Sequence, residues 1–136
     1  MAGELILIVE DDEKSRRLVR DVLQAKGYRT VETEAAEEGI RLVQEAHPAL
    51  VIMDLQLPGI SGIEARQRLR ADPGTQEIPV IAVTASAMTF GQPEIMAAGF
   101  EGYHSKPISV RKFLETVRAV LDSRRGTGSA QGAGKG

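Results

Sequence analysis

Five side chains in this sequence sit badly in an ordinary packed interior. Asp54 closes the apolar run Leu50-Val51-Ile52-Met53, and Glu10 and Asp11 follow another, Leu5-Ile6-Leu7-Ile8-Val9. Thr84 ends Val80-Ile81-Ala82-Val83, and Lys106 comes after Gly102-Tyr103-His104-Ser105, directly before Pro107. A carboxylate on the lip of a buried strand costs free energy unless a positive or hydrogen-bonding group meets it. Gathered together, three carboxylates also repel, by about 4 kcal/mol for two unit charges roughly 4 Å apart at an effective dielectric near 20. A hard divalent cation relieves that repulsion, and an all-oxygen, partly hydrated site is what Mg²⁺ prefers. Neither a thiolate nor a well-placed imidazole is available, which argues against zinc. With a cation bound, a carboxylate beside an ammonium and a hydroxyl is suited to receiving a phosphoryl group. The metal and Lys106 neutralise the incoming oxygens while an Asp54 oxygen attacks in line. The product would be an acyl phosphate, which is labile, so the modification is a temporary one.

This chemistry needs the five residues in one place, and the elements around them provide it. Leu5–Val9 reads as a strand buried on both faces, by its length and β-branching. The spacing of Leu18, Val19, Val22 and Leu23 predicts a helix that stops near Gly27. Asp12 and Glu13 suit the positive end of its dipole. Tyr28 to Val31 is a second strand, and Ala36, Ile40, Val43 and Ala46 mark a second helix ended by Pro48. Leu50–Met53 is the third strand, with Pro58-Gly59 as loop. Ser61 and Glu64 have the spacing of a capping box, opening a third helix that runs to about Arg70. Val80–Val83 is the fourth strand. Pro93 opens a fourth helix that runs to about Ala98, with Gly99 as its stop. Gly102–Ser105 is a weaker fifth strand. The last helix starts near Ser109 and buries Val110, Phe113, Leu114, Val117 and Leu121.

Strands alternating with helices, several of them wholly apolar, imply a parallel sheet covered on both faces. Right-handed crossovers leave few topologies for five strands. The expected one is the flavodoxin-like (βα)5 order 2-1-3-4-5, in which ligands bind beyond the carboxyl ends of the strands at the switch point between the first and third. Those ends carry Glu10, Asp11, Asp54, Thr84 and Lys106.

The remaining composition narrows the field. At 136 residues, with 42% apolar and 26% charged residues, one globular domain with its own core is expected over 1–123. Residues 124–136 hold five glycines among the last eleven and read as a flexible tail. A net charge of −2 gives no push towards nucleic acid or an anionic membrane. The absence of cysteine excludes a disulfide framework. The run Leu5–Val9 is too short to cross a bilayer, and acids follow it where a signal peptide would not carry them. The expectation is a soluble cytoplasmic protein. Arg16, Arg17 and Arg20, interrupted by Asp21, read as a solvated helix face. Met88 and Met96 read as packing, and His47 and His104 receive no role.

Residues 4 to about 123 resemble the receiver domain of two-component response regulators (CheY-like). The likeness rests on Leu5–Asp11, on Met53-Asp54-Leu55-Gln56-Leu57-Pro58-Gly59 with Gly62 beyond, on Val83-Thr84-Ala85 and on Lys106-Pro107. It implies that Asp54 accepts phosphate from a histidine kinase or histidine phosphotransfer protein. Glu10, Asp11 and Asp54 would hold Mg²⁺ with the backbone carbonyl of Gln56. Thr84 and Lys106 would bind the phosphoryl oxygens. Tyr103 would swing inward as Thr84 moves, reshaping the surface of the fourth helix, fifth strand and last helix. The likeness also implies a cis Lys106–Pro107 bond, and a monomer or a weak homodimer through that surface. Its output would be contact with a downstream protein rather than with DNA, and its activity self-phosphorylation and slow self-dephosphorylation rather than enzymatic turnover. Ser105–Ser109 and Thr84–Met88 are most similar to stand-alone cell-cycle regulators of the DivK type. Thr89-Phe90-Gly91-Gln92-Pro93 departs from the family, which usually begins the fourth helix with charged residues.

Two other readings are weaker. A phosphatase of the haloacid dehalogenase type needs a second acid two residues after its nucleophile, where Gln56 stands, and a cap domain for which no residues remain. A flavodoxin-like flavin binder needs a Ser/Thr/Gly-rich phosphate loop after the first strand, where this chain has acids that would repel the flavin phosphate.

Overall fold

The apolar runs separate by alternation into two cores, one on each side of a sheet. The computed structural model describes residues 3–57, 59–85 and 92–132. Its strands are β1 (Leu5–Val9), β2 (Arg29–Thr33), β3 (Leu50–Asp54), β4 (Val80–Thr84) and β5 (Gly102–Ser105). They form one parallel sheet in the order β2-β1-β3-β4-β5, the flavodoxin-like order expected. The helices between and after them are α1 (Glu13–Ala25), α2 (Ala36–Ala46), α3 (Gly62–Ala71), α4 (Gln92–Ala97) and α5 (Val110–Gly132). Leu7, Val9, Val51, Met53 and Ala82 face one way and pack with Ala36 and Val43 of α2, Leu69 of α3 and Ile95 of α4. Ile6, Ile8, Ile52, Ile81 and Val83 face the other way, against Val19 and Leu23 of α1 and Phe113, Val117 and Leu121 of α5.

Local chemistry sets where the helices begin and end. Asp12 Oδ2 accepts the amide of Ser15 at 2.8 Å and caps α1, while Ser61 Oγ accepts the amide of Glu64 at 3.1 Å and caps α3. Gly27 and Gly99, at φ +89° and +97°, follow α1 and α4 in the left-handed region that favours glycine. The Lys106–Pro107 peptide is cis.

Several details differ from the sequence reading. β2 begins at Arg29, because Tyr28 turns into the core between α1 and α5. Leu18, Met96 and Val110 are exposed, at 42%, 44% and 42%, so the buried stripes of their helices are narrower than their apolar residues suggest. The backbone of α5 stays helical to Gly132, past Ser123. Elongating a helix already nucleated by packing needs no new nucleus, which lets the backbone continue although Gly126, Gly128 and Gly132 are each poorer helix formers than alanine by about 1 kcal/mol. Pro58, the segment 86–91 that includes Met88 and Phe90, and residues 133–136 lie outside the described residues.

Candidate functional site

Parallel pairing carries the chemistry to one edge of the sheet. Val9 pairs with Met53, Asp54 with Val83 and Thr84 with Ser105, so the residues that end or follow these strands emerge side by side. Carboxylate oxygens of Glu10, Asp11 and Asp54 all lie within 4.8 Å of one another. Glu10 and Asp54 are buried, at 4% and 6% exposure, whereas Asp11 is exposed.

Lys106 is the counter-charge. Its ammonium Nζ lies 2.8 Å from Glu10 Oε1 and donates to Asp54 Oδ2 at 3.1 Å. The other Asp54 oxygen, Oδ1, accepts the amide of Gln56 at 3.1 Å, which turns the loop after β3 back over the carboxylate. Burial pulls the Lys106 ammonium down, but hydrogen bonds and charge from Glu10 and Asp54 outweigh it and hold the group above its ordinary value. Lys106 is therefore charged at neutral pH. Burial pushes Glu10 up to about 7, aided by the charge of Asp54 and opposed by Lys106 and the amide of Asp12. Such a carboxylate gains from any further positive charge.

The donor set fits a hard cation: three carboxylates, no sulfur or imidazole ligand among them, and one acid open to water. Gly62 shows how tightly the loop is built. A Cβ there would overlap the backbone carbonyl oxygen of Asp54 and lie 2.9 Å from Leu55 Cα, and the Gly62 amide donates to Leu55 O at 3.0 Å. The segment carrying Asp54 and Gln56 can close only over a residue with no side chain.

Thr84 is fully buried at the end of β4, and its carbonyl accepts the amide of Lys106 at 2.9 Å, tying the two together through the backbone. Tyr103, half-buried on β5, packs against the core on the α2–α3–α4 side. His104 points to the opposite side, where its ring meets Phe113 edge-on and its Nε2 lies 2.9 Å from Thr116 Oγ1. Beside the acids, a hollow of about 170 Å³ opens between α1 and the segment after β5, walled by Leu18, Val19, Pro107 and Ile108.

Arg16 is no solvated side chain. It is only 15% exposed and donates from Nη1 to the carbonyl of Glu10 at 2.9 Å, with Nε on Glu32 Oε1 at 3.2 Å. The available signal was the alternation of Glu32 and Glu34 at the end of β2, which places two acids opposite the first turn of α1.

A five-stranded doubly wound sheet with an acidic crevice bridged by Lys106 at the carboxyl ends of its strands defines a class of flavodoxin-like α/β domain. A family model described as response regulator receiver domain matches residues 6–118, and the chain belongs to that family. It is similar to the polar-differentiation response regulator DivK of Brucella ovis, 46% identical over 116 residues that cover 85% of this chain and 94% of the relative. The DivK of Brucella anthropi is 45% identical over the same coverage. Among solved structures, a response regulator from Chloroflexus aurantiacus superposes with a TM-score of 0.84 at 28% identity, covering 88% of this chain and 98% of that one. The receiver domain of the sensor histidine kinase PA1611 from Pseudomonas aeruginosa, determined with magnesium coordinated in its active-site cleft, gives 0.82 at 26% identity, covering 89% and 99%. This is a DivK-like receiver domain of a two-component response regulator.

Proposed function

We propose that Asp54 accepts a phosphoryl group from the phosphohistidine of a histidine kinase or histidine phosphotransfer protein. The observation that carries this reading is the bridge from Lys106 to both Glu10 and Asp54, within a cluster of three carboxylates. An Asp54 oxygen forms the new P–O bond as the donor's P–N bond breaks, and the electron pair of that bond returns to the imidazole nitrogen. Lys106, held charged, moves from a carboxylate oxygen to a phosphoryl oxygen, and the Thr84 hydroxyl donates to another. Mg²⁺, held by Glu10, Asp11, Asp54 and the carbonyl of Gln56, would neutralise the charge that gathers on those oxygens.

The added charge then biases a two-state element. Thr84 and Tyr103 relay it to the α4–β5–α5 surface, where a downstream protein binds or a weak homodimer forms. The chain is a relay component with slow self-dephosphorylation, not an enzyme with a released product. Its setting is cytoplasmic. In support, no helix among the described residues is long and apolar enough to cross a membrane, and the net charge of −2 gives no footprint for nucleic acid.

Acetyl phosphate, or a phosphorylated kinase domain, should place one base-labile phosphate on the wild type and none on Asp54→Asn. Equal labelling of the variant would refute the assignment of the acceptor.

A further inference from the structure

The carboxylates of the crevice are only as well placed as the peptide that carries them. Beyond the end of β1 the sheet offers Glu10 a partner for its amide, which donates to Thr33 O at 3.0 Å, but the Glu10 carbonyl has left the ladder. Arg16 supplies the missing donor, Nη1 at 2.9 Å. The same guanidinium is anchored on β2, with Nε 3.2 Å from Glu32 Oε1 and Nη2 3.6 Å from Glu34 Oε2. Glu32 is itself held by Arg20 at 3.4 Å. The Arg16 amide donates to Asp12 O at 2.9 Å, so both ends of this residue grip the loop between β1 and α1.

Resting on the functional reading above, we infer that Arg16 is a positioning residue for the cation site. By fixing the Glu10–Asp11 peptide, it sets where both carboxylates present their oxygens. Its charge does not work against a cation, because Glu32 and Glu34 balance it on the side away from the crevice. A planar fork of donors is required here. A lysine ammonium could reach the carbonyl or Glu32, but its point charge does not reproduce the fixed geometry that holds both. Groups that orient metal ligands without touching the metal typically change affinity by about tenfold or more.

The test is thermal unfolding across a MgCl2 series for wild type, Arg16→Lys, Glu32→Gln and the control Arg17→Lys, whose exposed pair with Glu13 lies on the outer face of α1. Arg16→Lys should weaken Mg²⁺ about tenfold, Glu32→Gln should weaken it less, and Arg17→Lys should match the wild type. A merely structural Arg16 would lower the melting temperature equally with and without Mg²⁺ and leave the fitted affinity unchanged, which overturns the inference. If Arg16→Lys does not fold, Glu32→Gln decides: wild-type affinity overturns the inference, and weakened affinity supports it. A wild type that gains nothing from Mg²⁺ refutes the functional reading itself, and the inference with it.

Discussion

Gly62→Ala offers a severe test of how the acceptor loop is built. The new methyl group would overlap the carbonyl oxygen of Asp54 and stand 2.9 Å from Leu55 Cα and 3.1 Å from Leu55 Cδ2. Two of those three obstacles are backbone atoms, so no side-chain rotation relieves the overlap, and β3 and α3 must move apart by several tenths of an ångström. Overpacking of this kind costs about 1–3 kcal/mol, and the backbone obstacles put this case towards the upper end. Alanine's better helix propensity returns up to about 1 kcal/mol, less at the first position of a helix. The net loss is about 2 kcal/mol, equivalent to a fall in melting temperature of about 8 °C for a domain of this size. Because the displaced atom is the carbonyl of Asp54, phosphorylation by acetyl phosphate should slow markedly as well. Calorimetry and a labelling time course measure both. A variant with wild-type melting temperature and wild-type labelling would show that the loop is not packed as described.

Saturation with Mg²⁺ at about a hundred times its Kd should stabilise the wild type by about 2.7 kcal/mol, and Asp11→Asn should lose most of that gain. Equal stabilisation of the variant in thermal melts would reject Asp11 as a ligand. Burial holds His104 below its ordinary value of 6.5, so the unfolded chain takes up the proton first and the stability from the neutral ring falls as pH drops below about 6.5. His104→Leu should therefore lose less stability between pH 7.5 and 5.5 than the wild type, and equal losses in parallel melts would refute this. Arg66 is fully buried and bonded to both oxygens of Glu101, at 3.3 and 3.0 Å. Glu101→Ala, which strands that charge, should cost about 3–5 kcal/mol, while Arg66→Met should cost far less. Denaturant unfolding decides, and the reverse order would refute the argument.

The site was legible because charge is expensive at the end of an apolar strand. Asp54, Glu10 and Asp11 each end or follow an apolar run, Lys106 stands at a strand end before Pro107, and parallel topology leaves such residues one edge to share. The order of the sheet followed from the same alternation of strands and helices. What escaped were contacts made by residues that look ordinary in their own helix. Arg66 sits among Arg68 and Arg70 on α3, and the groups that make its burial tolerable, Glu101 and the carbonyl of Gly99, lie 35 and 33 residues on. Arg16 was hidden for the same reason, since its partners lie on β2. Gly62 stood in the family pattern, but the reason no side chain fits there is a distance to another segment's backbone, which no spacing encodes.

Lys106 reaches back from beyond β5 to the ends of β1 and β3. A newcomer carrying positive charge thus finds a tenant already settled among the acids. Occupancy becomes an exchange, and its strength reflects the difference between two electrostatic bargains rather than the number of carboxylates. Counting acids alone would overstate how avidly such a crevice could take up a cation.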